Sequence, residues 1–462
     1  MGTLRNGWTK RESFILSVDV GTTSVRCHVY DKHANIRGSC TRKVPLLYPE
    51  RGWVEMDPED LWQSFISVVK GAVHDSGLQM SQMEALGIST QRATFTTWHR
   101  KTGKPFHNLI GWQDLRTAEM AKSWNNSYTM KAVHGVMKML HFLSRWKRFL
   151  AASLVVFMPQ HVSMRLAWAL QHIPQAVDEG TCCFGTIDTW LLYKLTKGLV
   201  HATDYSNASS TAIFDSYQMA DQQAAMFGEC CFDTGDVKIT MGTGTFMDIN
   251  TGNKPHTSVA GLYPLVGWKM GSDVVYLAEG NAADTGTAIR WVCVCVCVCV
   301  CVPQVPLNDP KACAAFMGLK PSTTKSHLVR AILESIAFRN KQLFDVMLRE
   351  IRIPITKIRA DGGVCVNDFI MQLSADLLGR KISRPTHFDM SCLGAAFVAG
   401  LGVGYWKSKE ELKKLQMTER LFLPQNVKGD TGGGGGGGVY KLVLQSWEQA
   451  LQRSMHWYSH TS

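Results

Sequence analysis

The chain has 462 residues, 45% of them hydrophobic and 19% charged, enough apolar material for two or three domains with their own cores and too much for a disordered chain. Its formal charge is +11 with a pI near 9.0, but acidic and basic residues are interspersed and the one dense basic run is 145–148. The excess is therefore read as attraction to an anionic small substrate, with no nucleic-acid partner.

The first apolar run, 14–18, is too short for a secretory signal, and 149–158 falls short of the ~20 residues of a bilayer span. The 14 cysteines show no metal-ligand spacing. A cytoplasmic protein with reduced thiols and no transmembrane segment is expected.

Residues 15–30 read as two buried strands joined by a turn that carries Asp19, Gly21, Thr22, Thr23 and Ser24. Gly21 lets the backbone turn tightly, the N–H groups and hydroxyls after it can face a phosphate, and Asp19 is placed for a magnesium ion or its water shell. The same residues also suit a plain β-turn, so the reading depends on the rest of a nucleotide site. Asp57 is an N-cap, Pro58 fits the first helical position, and Ile66, Val69 and Val73 follow at helical spacing. Residues 85–90 and 95–99 read as strands on either side of Gln91, Arg92, Ala93 and Thr94. Residues 129–173 are mainly helical and apolar with basic interruptions.

Further strands are expected at 236–241, 246–250 and 357–360, and helices at 327–350, 367–378 and, near the end, 444–457. Strands alternating with helices, with the strand–turn pattern recurring in the second half, indicate an α/β protein of two similar halves. A cleft between halves is the default substrate site. Two passages break the pattern: Val and Cys alternate strictly over 292–302, as a translated dinucleotide repeat would, and 432–438 is an unbroken glycine run. Both are read as inserts outside the site.

Three glycine-bearing turns each follow a strand: 19–24, Met241-Gly-Thr-Gly-Thr-Phe246 and Arg359-Ala-Asp-Gly-Gly-Val-Cys-Val-Asn367. Around them stand Tyr48-Pro-Glu-Arg-Gly-Trp-Val-Glu-Met-Asp-Pro58, Ser89-Thr-Gln-Arg-Ala-Thr94, Gly111-Trp-Gln-Asp-Leu-Arg116, Phe184-Gly-Thr-Ile-Asp-Thr-Trp-Leu191 and Asp221-Gln-Gln-Ala-Ala-Met-Phe-Gly228. In this order they resemble the FGGY carbohydrate kinases, and among them the glycerol kinases.

The resemblance implies two actin-like (ribonuclease H-like) domains, each a mixed sheet flanked by helices. Residues 14–230 would carry the acceptor pocket and phosphate hairpin, and 231–462 the nucleotide site. It implies transfer from ATP, with Mg2+, to glycerol, giving sn-glycerol 3-phosphate. Asp221 would be the general base and would share the metal with Asp19. Arg92, Trp112, Gln222 and Phe246 would join it around the acceptor. Thr22, Thr23, Arg26, Gly242 and Thr243 would meet the phosphates, while Gly362, Gly363 and Asn367 would flank the adenosine. Assembly into a homo-oligomer is compatible with this reading.

The chain also departs from the pattern. The Glu that follows the substrate arginine in glycerol kinases is Ala93 here, which opens the acceptor to another polyol or sugar. The Asp-Pro-Tyr-Phe segment that supplies a substrate tyrosine has no match between Ser127 and Trp168. Family segments before Asp221 and after Trp291 are missing, and the domain carrying 14–230 is thus truncated near 220. A catalytically impaired ATP-binding relative with a regulatory role fits these losses, and a poorly folded or inactive chain is expected.

Overall fold

The computed structural model describes residues 12–173, 181–211, 213, 223–282, 285, 286, 289, 315–425 and 438–456. Asp221 and Gln222, the Val/Cys alternation and the glycine run up to 437 lie outside the described residues.

The strands of the first half are β1 (Phe14–Val20), β2 (Ser24–Tyr30), β3 (Ile36–Lys43), β4 (Glu55–Met56), β5 (Met83–Thr90), β6 (Phe95–His99), β7 (Leu109–Ile110) and β8 (Cys182–Thr186). They assort into two sheets, ordered β3-β2-β1-β5 and β4-β7-β6-β8. The second half holds β9 (Asp236–Met241), β10 (Thr245–Gly252), β11 (Tyr263–Met270), β12 (Asp273–Ala282), β13 (Lys357–Asp361), β14 (Ile382–Pro385) and β15 (Thr418–Phe422) in one sheet, ordered β11-β12-β10-β9-β13-β14-β15.

The repeat anticipated from the sequence is visible in the pairing. In each half an antiparallel hairpin (β1–β2, β9–β10) carries a further antiparallel strand beside its second member (β3, β12) and a parallel strand beside its first (β5, β13).

β1 is apolar almost throughout because both faces of its sheet are covered. One face receives the helix Pro58–Asp75, whose Asp57 cap accepts from the Glu59 and Asp60 N–H groups and which buries Leu61, Phe65 and Val68. The other receives the helix Met390–Gly402, which belongs to the second half. In that half the helices Lys325–Glu350 and Asp368–Leu378 close a core around Val237, Ile239, Met247, Phe344 and Met371.

A third core, formed by Ile15, Tyr30, Phe227, Leu265, Trp268, Leu277, Phe397 and Trp406, takes side chains from both halves and joins them. Its geometry depends on small residues. A Cβ on Gly87 would stand 2.2 Å from the Ala395 carbonyl oxygen, and one on Gly394 would stand 1.6 Å from the Ala224 carbonyl oxygen in the short helix Gln223–Gly228. Backbones touch there with no room for a side chain.

The helix Met390–Gly402 and strands β11 and β12 were absent from the sequence reading. The former is rich in glycine, a poor helix former, and in β12 the apolar run 274–278 gives way to Glu279, Gly280 and Asn281.

Because backbone atoms cannot withdraw as a flexible side chain can, Gly394→Ala should destabilise the junction by about 2 kcal/mol or more. The check is the urea unfolding midpoint, which should fall with the far-UV spectrum of the native state unchanged. An unshifted midpoint would mean that the two helices are not held this closely.

Candidate active site

At the turn between β1 and β2 the Gly21 N–H donates to the Ser24 carbonyl (2.9 Å). The two sides of the turn are then tied to the acceptor-side motifs. The Gln91 amide donates to the Gly21 carbonyl (3.2 Å), and the Trp112 indole N–H donates to the Thr22 hydroxyl (3.0 Å). Asp19 and Arg26 face one another across the hairpin. Burial pushes the Asp19 carboxyl up to about 6, against the pull of the Arg26 charge. Arg26 Nη1 also bonds Asp389 Oδ1 at 2.5 Å, with His28 Nε2 3.3 Å from the other oxygen. Burial would raise the Asp389 carboxyl, but His28 and Arg26 together hold it below the usual carboxylate range. Asp389 immediately precedes the helix Met390–Gly402, so the β1–β2 hairpin of one half is tied by charge to the other half.

The loop after β5 carries the acceptor candidates. Arg92 Nη2 donates to both oxygens of Glu279 (2.9 and 2.8 Å), and its guanidinium lies 5.6 Å from the Phe246 ring centre. Ala93 takes the left-handed conformation (φ 55°). The Thr94 hydroxyl accepts from the Trp112 backbone N–H (3.2 Å). Arg92, Trp112, Phe246 and Thr22 are thus brought to one place, between the first and second glycine turns.

The second turn is closed by Gly242 N–H to the Gly244 carbonyl (2.9 Å), and the Thr243 carbonyl accepts from Gly286 (2.9 Å). The third turn packs on it. Gly362 has φ 94°, and a Cβ there would stand 2.6 Å from the Met241 carbonyl oxygen, so glycine is required by the backbone itself. A Cβ on Gly242 or Gly363 would meet open space, which leaves both free to admit a ligand. Asn367 caps the helix Asp368–Leu378, its side chain accepting from the Phe369 and Ile370 N–H groups (3.0 and 3.2 Å). Its amide oxygen is therefore already engaged.

Sequence reasoning missed a row of charged side chains across the second sheet. Glu279 on β12 faces Asp248 on β10, which faces Lys238 on β9, which faces Arg359 on β13. Arg92 caps the row at one end and Glu229 at the other, the latter 3.4 Å from Arg359. Lys238 lies 3.3 Å from Asp248, both fully buried, and also donates to the Thr240 hydroxyl (2.7 Å), which in turn donates to Asp361 (2.5 Å). Arg92 and the aspartate that opens the third turn therefore share one polar network. Burial pushes the Asp248 carboxyl up to about 7 despite Lys238, and Glu279 beside it adds to the rise.

A second missed residue is Arg165, fully buried on the helix Val162–His172. Its guanidinium donates to the carbonyls of Ala93 (2.8 Å), Gln160 (2.5 Å) and Gly111. It fixes the two loops that carry Arg92 and Trp112 with respect to each other. A lone arginine on an amphipathic helix gave no signal of this.

Comparison with known proteins adds to this geometry. The N-terminal domain model of the FGGY family of carbohydrate kinases matches residues 14–227, and its C-terminal domain model matches residues 303–403. The chain is 69% identical to glycerol kinase 5 of Danio rerio, covering 99% of this chain and all of that protein, and 51% identical to glycerol kinase 5 of Homo sapiens, covering 97% and 96%. The Danio rerio match runs over 532 positions against the 462 residues here, so at least 70 positions of that relative face no residue in this chain. Among solved structures, Plasmodium falciparum glycerol kinase with ADP is 25% identical with a TM-score of 0.76, covering 96% of this chain and 98% of that one. A ligand-bound xylulose kinase from Lactobacillus acidophilus, 14% identical with a TM-score of 0.74 over 96% and 97%, shares the fold.

The far end of the charge row gives a test of its burial. Glu229 is pushed up to about 8 by burial and by the charge of Asp361, against Arg359 and Lys238, from an ordinary value of 4.5. Folding therefore takes up a proton between those two values, and stability falls as pH rises from about 4.5 to about 8. Glu229→Gln should flatten that slope, gaining on the order of a few kcal/mol relative to the parent at pH 8 and little at pH 4.5. Parallel unfolding free energies for parent and variant across this window would contradict the assignment.

Proposed function

The chain belongs to the FGGY family of carbohydrate kinases, and we propose that it transfers the γ-phosphoryl group of ATP to glycerol, forming sn-glycerol 3-phosphate. The observation that carries this reading is the meeting of Arg92, Trp112 and Phe246 beside Thr22, between two glycine turns, the second of which has open space beside Gly242. It is supported by the glycerol kinases to which the chain is similar over nearly its whole length. Residues 14–230 are assigned to the acceptor and the phosphate hairpin, and 231–462 to the nucleotide.

Phosphoryl transfer asks a protein chiefly for positioning and for neutralisation of charge on the transferring group. Arg92 offers donors to acceptor hydroxyls, and its pairing with Glu279 fixes their direction before the acceptor arrives. Phe246 and Trp112 supply apolar walls for the carbon chain. Thr22, Thr23, Arg26, Gly242 and Thr243 are assigned to the phosphates, Gly362, Gly363 and Asn367 to the adenosine side, and Asp221, with Gln222, to accepting the proton of the attacking hydroxyl. Asp19 fits a hard cation: its carboxyl is held near 6 by burial, so a dication would favour the ionised form. Asp19 and Asp221 are assigned to hold Mg2+, which would neutralise charge on the phosphates when bound. The eight described cysteines are free thiols, which supports a cytoplasmic setting. Among the described residues no helix is long and apolar enough to cross a membrane.

Glycerol-dependent ADP release should be detectable in a coupled assay, with turnover well below that of a relative retaining the missing positions. Asp221→Asn should lower it by about 10²-fold or more while leaving ADP binding intact. Release of ADP that is independent of glycerol, or unchanged in the variant, would refute the reading. Ala93→Glu should restore an acceptor oxygen and lower the KM for glycerol by about tenfold, equivalent to one added hydrogen bond. Equal KM values would show that this position does not reach the substrate.

A further inference from the structure

Between Arg116, buried against Trp53 and Trp168, and the helix Val162–His172, the chain leaves the body of the first half. The excursion is closed at its base by Asn125, whose side chain both accepts from the Phe157 N–H and donates to the Phe157 carbonyl (2.8 Å each). It contains the helix Tyr128–Ser144, capped by Ser127, and the short helix Lys147–Ala152. No residue of the longer helix is buried. Its exposed apolar side chains are large: Phe142 is 66% and Leu143 70% exposed, and Met139 and the following Trp146 continue the patch.

The charge on this excursion is one-sided. Lys131, Lys138 and Arg145 recur seven residues apart, a stripe along one edge of the apolar face, and Lys147 and Arg148 follow it. No aspartate or glutamate occurs between Glu119 and Asp178. Arg145 stands over the Phe142 ring (5.2 Å) and Arg148 over the Trp146 ring (4.3 Å), so cations and exposed aromatic rings share one surface.

We propose that this excursion docks the protein on an anionic lipid surface, with Met139, Phe142, Leu143 and Trp146 entering the headgroup boundary and the cations meeting lipid phosphates. An amphipathic helix with an apolar face and a basic edge binds in this way, and tryptophan is favoured at that depth. The occupant is fixed by charge. A second copy of this chain would bring one acid-free cationic rim against another, whereas an anionic bilayer complements it, each cation strengthening binding about fivefold. The inference does not rest on the kinase reading, since binding is read without turnover.

The test is co-flotation of the full chain with vesicles of phosphatidylcholine alone and with about one-third phosphatidylserine, at ~0.1 M salt. The protein should partition onto the anionic vesicles at least tenfold more than onto the neutral ones, and less at high salt. Two variants act on exposed side chains and should keep the parent's unfolding midpoint: Phe142→Ala/Leu143→Ala/Trp146→Ala removes the apolar face, and Lys138→Glu/Arg145→Glu/Lys147→Glu reverses the edge. Each should weaken partition by tenfold or more. Absence of partition by the parent overturns the proposal, as does parent-like partition by either variant. A concentration-dependent dimer lost in the first variant would assign the face to a second copy instead, and would equally overturn it.

Discussion

The contact on which the site depends is the bidentate pair between Arg92 and Glu279. Arg92 belongs to a loop of the first half and Glu279 to a strand of the second, so the two contacts of 2.9 and 2.8 Å from Nη2 to the carboxylate oxygens hold the two halves together where the acceptor would lie. With Gln91 bonded to Gly21 on one flank and Phe246 under the guanidinium on the other, this pair sets the distance between the two glycine turns.

Behind it runs a row of buried charges that a hydrophobic core of equal volume would replace at little loss of stability. Buried ion pairs repay their desolvation poorly, and removing one partner is far costlier than removing both. Here the row pairs Glu279 with Arg92 and Asp248 with Lys238, and it extends through Thr240 to Asp361 at the mouth of the third turn. The row is satisfied only in part, with Glu229 Oε1 and Arg359 Nε buried and without a hydrogen-bond partner, so it costs folding energy while holding its paired donors and acceptors in place before a ligand arrives. The row is thus better understood as preorganisation of Arg92 and of the turn at Gly362 than as a source of folding energy.

The sequence made local features legible and hid those that depend on pairing between distant strands. The apolar run of β1, the Asp57–Pro58 helix start and the three glycine turns each need only a few adjacent residues, and all appear where they were expected. Lys238, Asp248 and Glu279 carry no local signal of their pairing, because nothing in a single strand shows that its neighbours carry matching charges. Glycine in the helix Met390–Gly402 lowers helix propensity, yet Gly394 is there because another backbone passes within contact distance. Tertiary approach overrode propensity, and one sequence cannot display the approaching partner.

The same distinction bears on Ala93. A non-glycine residue with positive φ costs about 1 kcal/mol or more and persists only where its surroundings over-determine it. Arg165 holds the Ala93 carbonyl, and Thr94 next to it holds the Trp112 backbone, so the turn is fixed without help from the side chain at position 93. The resemblance to glycerol kinases places a glutamate there, and its replacement by alanine therefore removes one acceptor oxygen while leaving the loop in shape. A pocket altered in this way keeps its walls and its guanidinium but hydrogen-bonds one hydroxyl fewer. Hydrogen-bonding sites discriminate among substrates through the polar groups left unpaired by the wrong one. On the proposed assignment of Arg92 to the acceptor, Ala93 would loosen the choice among polyols of similar size through a missing partner and not through a changed cavity.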